Sequence, residues 1–500
     1  MLESLTFRLR ARTMAQLDGK SKILGPFALA MLAVIAVIDL RSLPLMASYG
    51  LSAIFIYSLA GLLFLIPGGL VCAELSTHLQ HPGGMYLWIR EAFGDGAGFL
   101  AIWLEWLNNV IGFPASVSFI AVTLTYLYDP NLVQHKFIIL GLTLTILWTT
   151  TFICTRGIET TSRLNILGAL LGTTIPAFIF IIMGVGWLMG GKPLQFDLSW
   201  GKLIPNLQTL NPGFFAAIIL GFGGMQIISF HTDDVKNPRR DYPRAIWAAI
   251  SLIFSMTLFT TLAIAAVVPQ QQLTLVSGLV SGIERFFNAF EMPWAASAFV
   301  LLLIFSLFTT LNAWFLGPAK GLVIAAHNGF LPRYFSFLNR KQVPANILVL
   351  QALIASLVST LLVFMPDINA GFWILLNLSS QSALMVYILI FSSAIKHRYL
   401  RNHQQAESAY QIPGGKRGIW LVGGIGIVTC AIALLTSIIP PTIIKTGDLR
   451  YYETILIGSN LIFLSIPLAI IYYYSKRREK APQPIFSTNK LEGFKALQPE

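Results

Sequence analysis

The sequence predicts an all-α polytopic membrane protein of about twelve transmembrane helices, and three observations carry that expectation. First, of 500 residues 55% are hydrophobic and only 11% charged, whereas soluble domains carry roughly one quarter charged residues. Second, uncharged runs long enough to cross a bilayer recur along the whole chain. Third, Lys and Arg gather beside alternate ends of those runs, as expected when basic residues stay cytoplasmic.

About 20 apolar helical residues cross the hydrocarbon core. Uncharged runs cover Ser42 to Ala73, Phe137 to Thr155, Leu164 to Gly191, Leu203 to Thr232, Ala245 to Ile283 and Met292 to Ala319. They continue as Gln342 to Pro366, Ile368 to Ile395, Gly418 to Ile444 and Thr454 to Ser475, with Gly96 to Tyr128 interrupted only by Glu105. A first helix ahead of Asp39 completes the set.

With the N-terminus inside, the cytoplasmic ends hold Arg8, Arg10, Arg12, Lys20, Lys22, Arg90, Arg156, Arg163, the Lys236–Arg244 cluster, Lys320, Arg333, Arg340, Lys341, the cluster of Lys396, Arg398, Arg401, Lys416 and Arg417, and the tail from Lys476 to Lys495. Only Lys136, Lys192, Lys202, Arg285, Lys445 and Arg450 are left outside. Both termini are therefore expected in the cytoplasm. This placement reads the net charge of +12 as topology and contact with anionic lipid, and nucleic acid is not an expected partner. The expected organisation is a cytoplasmic tail over 1–22, a single transmembrane domain over 23–475 and a second cytoplasmic tail over 476–500. The three cysteines, Cys72, Cys154 and Cys430, lack CxxC spacing and read as small buried hydrophobes rather than a disulfide framework or a zinc site.

The first helix is the anomalous one. Only sixteen uncharged residues separate Lys22 from Asp39, and Asp39 and Arg41 are followed by Ser42, Leu43 and Pro44. These charges must lie within the membrane, where an ionisable group faces a watery cavity, a partner or a ligand. Proline cannot donate the helical hydrogen bond and clashes one turn back, so unwinding is expected around Ile38 to Leu43. A second interruption is expected at Gly221, Phe222, Gly223 and Gly224, inside a helix running from about Pro212 toward Phe230, because three glycines in four residues weaken a helix. The interruptions fall in the first and sixth spans. That is where five helices followed by an inverted copy of themselves would place them, with repeats over about 23–191 and 203–400. Open helix ends offer N–H groups to a carboxylate and carbonyls to an ammonium, which suits a zwitterion.

Three stretches resemble the amino acid-polyamine-organocation superfamily, and especially its glutamate/GABA antiporter branch. They are VIDLRSLPLMASYG with the following FLIPGGLVCAELSTHLQHPGGMYLWIREAFG, then GFGGMQIISFHTDDVKNPRRDYPRAI, then NAWFLGPAKGLVIAAHNGFLP. The resemblance implies a leucine-transporter-type fold of two inverted five-helix repeats with two peripheral helices over about 418–475, working by alternating access. It also implies substrate contacts from Ile38, Asp39, Leu40, Arg41 and Ser42 in the first span and from Gly221 to Gly224 in the sixth. Gln226 stands where many members have Glu, and Trp314 aligns with an aromatic that shields substrate in some relatives.

Other candidates are weighed on their own chemistry. Glu105, with Asn109 nearby, could line the pathway or pair with Arg41, and His231 could respond to pH. Thr309, Thr310 and Asn312 could offer oxygens to sodium or bond their own helix backbone. No HExxH, nucleotide-binding loop or paired aspartates suited to proteolysis occurs, so neither an enzyme nor a cofactor or metal site is expected. The expected function is secondary transport of amino acids: exchange of one for a related amino acid or amine, or proton-coupled uptake. The partners would be the small substrate, protons and membrane lipid. The alternative is a membrane sensor or channel that keeps the fold without coupled transport. Substrate identity, coupling ion and oligomeric state are not legible.

Overall fold

The computed structural model describes residues 25–38, 43–79, 84–157, 164–205, 212–269, 278–363, 368–400, 410–439 and 449–479. Among these residues the regular structure is helical, without a strand. Nine helices among them are long and apolar enough to cross a membrane, and shorter apolar helices at 26–37, 215–229 and 345–361 stand in the places of the first, sixth and ninth crossings. Helices are the expected solution because a spanning segment must satisfy its own backbone N–H and C=O groups. Leu62, Phe152, Ile182, Leu357, Leu421 and Leu461 project outward, each more than half exposed, as a lipid-facing surface requires.

Several spans begin or end away from the limits of the uncharged runs. The run from Ser42 to Ala73 is divided: a short helix at Leu43–Ala47 is followed by a turn in which Gly50 has φ +55°, and the second span begins at Ser52. The run from Ala245 to Ile283 also serves two elements. The seventh span, Pro238–Val267, stops before residue 270, and a separate helix occupies Gly278–Ala289. Absence of charge sets only an outer limit on a span; turn geometry sets its end.

The packing has the symmetry that inverted repeats require, although no sequence identity links the halves. The third span (95–128) packs on the tenth (368–400), and the eighth (293–327) packs on the fifth (164–189). The first packs on the seventh as the sixth packs on the second, and the fifth on the seventh as the tenth on the second. The ninth contacts the third as the fourth contacts the eighth. Each pair maps onto the other when every span is exchanged with the one five places along.

Small residues let these helices approach closely, as expected where lipid provides no hydrophobic drive to association. A Cβ added to Gly168 would lie 1.7 Å from Thr309 Oγ1, one at Gly69 2.7 Å from Ile250 Cδ1, and one at Gly184 2.6 Å from Ala263 Cβ. Polar bonds join the same pairs: Thr173 and Ser306 hydroxyls lie 2.5 Å apart between the fifth and eighth spans. Ser379 of the tenth span donates to the Asn108 carbonyl of the third at 3.0 Å.

Near the C-terminal end of the second span, Glu74 forms a bidentate ion pair with Arg398 of the tenth, with Nε to Oε1 at 2.9 Å and Nη2 to Oε2. The two side chains are 1% and 7% exposed. The Ile412 amide donates to the same Glu74 carboxylate at 2.8 Å, and Arg398 donates onward to the carbonyls of Ile412 and Gly415. Arg398 belongs to the basic cluster that the sequence assigns to topology and lipid contact. In the fold it is a buried structural partner, because a carboxylate 324 positions away compensates its desolvation. The three cysteines are buried free thiols.

Candidate functional site

The first span ends early. Its helix covers Pro26–Val37, and Ile38, with ψ at 114°, turns the chain out of helical conformation. Asp39, Leu40, Arg41 and Ser42 lie outside the described residues, and helix resumes at Leu43–Ala47. The sixth span is interrupted as well. Helix Pro212–Leu220 gives way to a turn at Gly221 and Phe222 and to irregular backbone at Gly223 and Gly224, and a 3₁₀ helix then covers Met225–Asp234. Gly224 has φ +124°, a conformation that a residue with a Cβ rarely adopts.

The two interruptions meet. A Cβ placed on Gly224 would sit 2.5 Å from the Ala36 carbonyl oxygen in the last turn of the first half-helix, and 3.3 Å from Trp314. The Trp314 indole N–H donates to that same Ala36 carbonyl at 3.3 Å, and Thr310 donates to the Ile35 carbonyl at 3.4 Å. The open carbonyl end of one half-helix, the glycine turn of another and one face of the eighth span thus converge. Phe222 is buried, with its ring edge-on to Tyr57 of the second span at 5.7 Å between centroids.

A buried polar chain runs outward from the turn. The Gly224 N–H donates to the Tyr387 hydroxyl at 2.7 Å, and that hydroxyl donates to Gln226 Oε1. Gln226 Nε2 in turn donates to Glu105 Oε1 at 3.0 Å. Glu105 is 0% exposed, and its Oε2 has no hydrogen-bond partner among the described residues. Four groups from the third, sixth and tenth spans form one line.

Of the residues singled out on sequence, Ile38, Gly221, Phe222, Gly223, Gly224, Gln226 and Trp314 stand around this junction, and Glu105 joins it through Gln226. Asn109 is buried, and its amide donates to the Glu105 backbone carbonyl at 2.9 Å, one turn back along its own helix. His231 falls on the 225–234 helix, but its side chain lies outside the described residues. The Glu105–Arg41 pairing considered on sequence likewise involves a residue outside them. Thr309 and Thr310 both donate to the Ser306 carbonyl at 2.9 Å, and Asn312 donates to the Phe308 carbonyl at 2.7 Å. Thr309 and Asn312 thus bond the local helix, whereas Thr310 is shared between it and the first half-helix. No group of His, Cys, Asp and Glu suited to a metal occurs among the described residues. Sequence reasoning does not single out Tyr387; its one available signal is a lone phenol midway along the apolar run from Ile368 to Ile395.

A polytopic helical membrane protein with two half-helix ends apposed at a glycine turn has the architecture of a membrane carrier. The chain belongs to the amino acid permease family, whose pattern matches residues 24–459. It is 41% identical over 454 residues to an uncharacterized transporter of Legionella pneumophila, covering 90% of this chain and 97% of that one. It is 27% identical over 465 residues to a glutamate/gamma-aminobutyrate antiporter of Lactococcus lactis, with 92% and 91% covered. It is 26% identical over 366 residues to the cystine/glutamate transporter of Homo sapiens, with 70% and 68% covered. The protein is thus an integral membrane amino acid transporter.

Proposed function

We propose that the protein exchanges an amino acid for a related amino acid or its amine by alternating access, holding the substrate between the interrupted first and sixth spans. The observation that carries this reading is the 2.5 Å approach of a Gly224 Cβ position to the Ala36 carbonyl. It brings a carbonyl-bearing helix end and the start of a second helix together at one point. A helix C-terminal end attracts an ammonium and a helix N-terminal end a carboxylate, so the pair suits a zwitterion. The exchange mode is suggested by the glutamate/gamma-aminobutyrate relative. Residues 23–475 form the transport domain, both tails face the cytoplasm, and the bacterial inner membrane is the site of action.

Ile38, Asp39, Leu40, Arg41, Ser42 and Gly221 to Gly224 contact the substrate in this scheme, and Trp314 closes over it. The test is purified protein in liposomes loaded with unlabelled amino acid or amine and offered labelled L-glutamate, GABA and a panel of others. Exchange predicts uptake accelerated by internal substrate. A channel would show no such acceleration, a sensor would bind without uptake, and failure of the whole panel to move would reject the proposal.

A further inference from the structure

We infer that Glu105 is a proton-binding site whose occupancy is linked, through Gln226 and Tyr387, to the glycine turn of the sixth span. The inference rests on the substrate position proposed above and assigns a coupling group to it. Four observations support it. Glu105 is wholly buried, with one carboxyl oxygen bonded to Gln226 Nε2 at 3.0 Å and the other without a described partner. It takes no part in an ion pair among the described residues. The Gln226 carboxamide bridges two groups, donating to Glu105 and accepting from Tyr387. Tyr387 itself accepts from the Gly224 amide at 2.7 Å.

A carboxylate deep in a membrane protein needs a counter-charge or a proton. With no cation bonded to it among the described residues, a proton on Oε2 is the smallest ligand that neutralises it, and Oε1 keeps the Gln226 bond in either state. The side chains of Asp39, Arg41, His231, Asp233 and Asp234 lie outside the described residues, and the described charged groups on neighbouring elements sit toward helix ends. They are Arg90, Glu91 and Asp95 beside the start of the third span, Lys136 on the fourth, Lys320 and His327 on the eighth, Lys396, His397 and Arg398 on the tenth, and Arg450, Glu453 and Lys476 on the twelfth. Glu105 lies ten residues into its helix, about 15 Å from that end. The titratable side chain joined to it is Tyr387, with Cys72 and Cys430 beyond.

The linkage follows from competition for one donor. A substrate carboxylate at the glycine turn takes the Gly224 N–H from Tyr387, and the freed hydroxyl repositions against Gln226, altering the only described bond to the Glu105 carboxyl. The proton comes from water on the side to which the site is open, and returns to water when the site reopens.

The experiment is infrared difference spectroscopy of wild type and Glu105→Gln, purified and reconstituted, titrated with acid and with L-glutamate. Wild type should show a carbonyl-stretching band of a protonated carboxyl that Glu105→Gln lacks and that changes when L-glutamate is added. In parallel, wild-type exchange should vary about tenfold with pH, and Glu105→Gln should flatten that profile to within about twofold. If Glu105→Gln fails to fold, Tyr387→Phe supplies the test: the band should persist but no longer respond to L-glutamate. Identical spectra for wild type and Glu105→Gln, or a band in Tyr387→Phe that responds as in wild type, overturns the inference. Absence of amino acid movement by wild type at any pH would reject the exchange function, while the acid titration of the band would still decide whether Glu105 binds a proton.

Discussion

Replacing Gly224 by alanine tests the junction with a single methyl group. At φ +124° a residue bearing a Cβ is strained by about 1–3 kcal/mol. The new methyl would also start 2.5 Å from the Ala36 carbonyl oxygen, and relief to ordinary van der Waals contact needs a movement of about 1 Å. Both sides are tied. If Ala36 moves, the Trp314 bond, already at 3.3 Å, is lost; if the turn moves, the 2.7 Å Gly224–Tyr387 bond is lost. Either loss adds about 1 kcal/mol. The sum, about 2–4 kcal/mol, corresponds to roughly 30- to 1,000-fold in an equilibrium governed by this geometry. We expect Gly224→Ala to fold, as judged by a monodisperse profile in detergent, and to lose at least about tenfold in substrate affinity and exchange rate. Gly186→Ala is the control, because a Cβ there meets nothing within 4 Å, and it should behave as wild type. A Gly224→Ala protein with wild-type affinity would refute the convergence of the two interruptions on the substrate.

Arg398→Ala strands a buried carboxylate, and breaking a buried pair costs about 3–5 kcal/mol. Thermal unfolding should show a large loss of stability, whereas Glu74→Leu with Arg398→Leu should recover most of it. Gly168→Val places side-chain atoms where Thr309 Oγ1 lies 1.7 Å from the Cβ position, so separation of the fifth and eighth spans should lower thermal stability by about 1–3 kcal/mol or more. Trp314→Phe keeps a ring over the turn but removes the N–H given to Ala36. Substrate affinity should fall by several-fold with little change in stability, since one hydrogen bond contributes about 1 kcal/mol. Arg41→Ala should lower uptake of anionic substrates more than neutral ones in liposomes; equal losses would mark a purely structural role.

The positions of the spans and both interruptions are legible in the sequence because they are local. A run without charge is visible residue by residue, and so are Pro44 and the three glycines at 221, 223 and 224. The pairing of Glu105 is not legible, because its partner Gln226 lies 121 positions away and only the tertiary fold brings them together. Arg398 misleads for a related reason. Its neighbours Lys396 and Arg401 make it look like one of a solvated cluster, and nothing nearby in the chain announces Glu74. Tyr387 is hidden in an otherwise apolar stretch, where a single hydroxyl gains meaning only from the Gly224 amide and the Gln226 carboxamide beside it.

The Glu74 carboxylate grips the main chain at Ile412 as well as the guanidinium of Arg398. A tilt of the second span would therefore tug on the strap that leads into helix Gly415–Thr436. The outer pair of helices is tied to the interior there and again at Asn377 and Gln381 of the tenth span, which bond Ser437, Tyr452 and Asn460. In the proposed exchange cycle, rocking of the second or tenth span must either drag those helices along through the lipid or break these bonds, and the drag of a whole helix would then count toward the turnover rate.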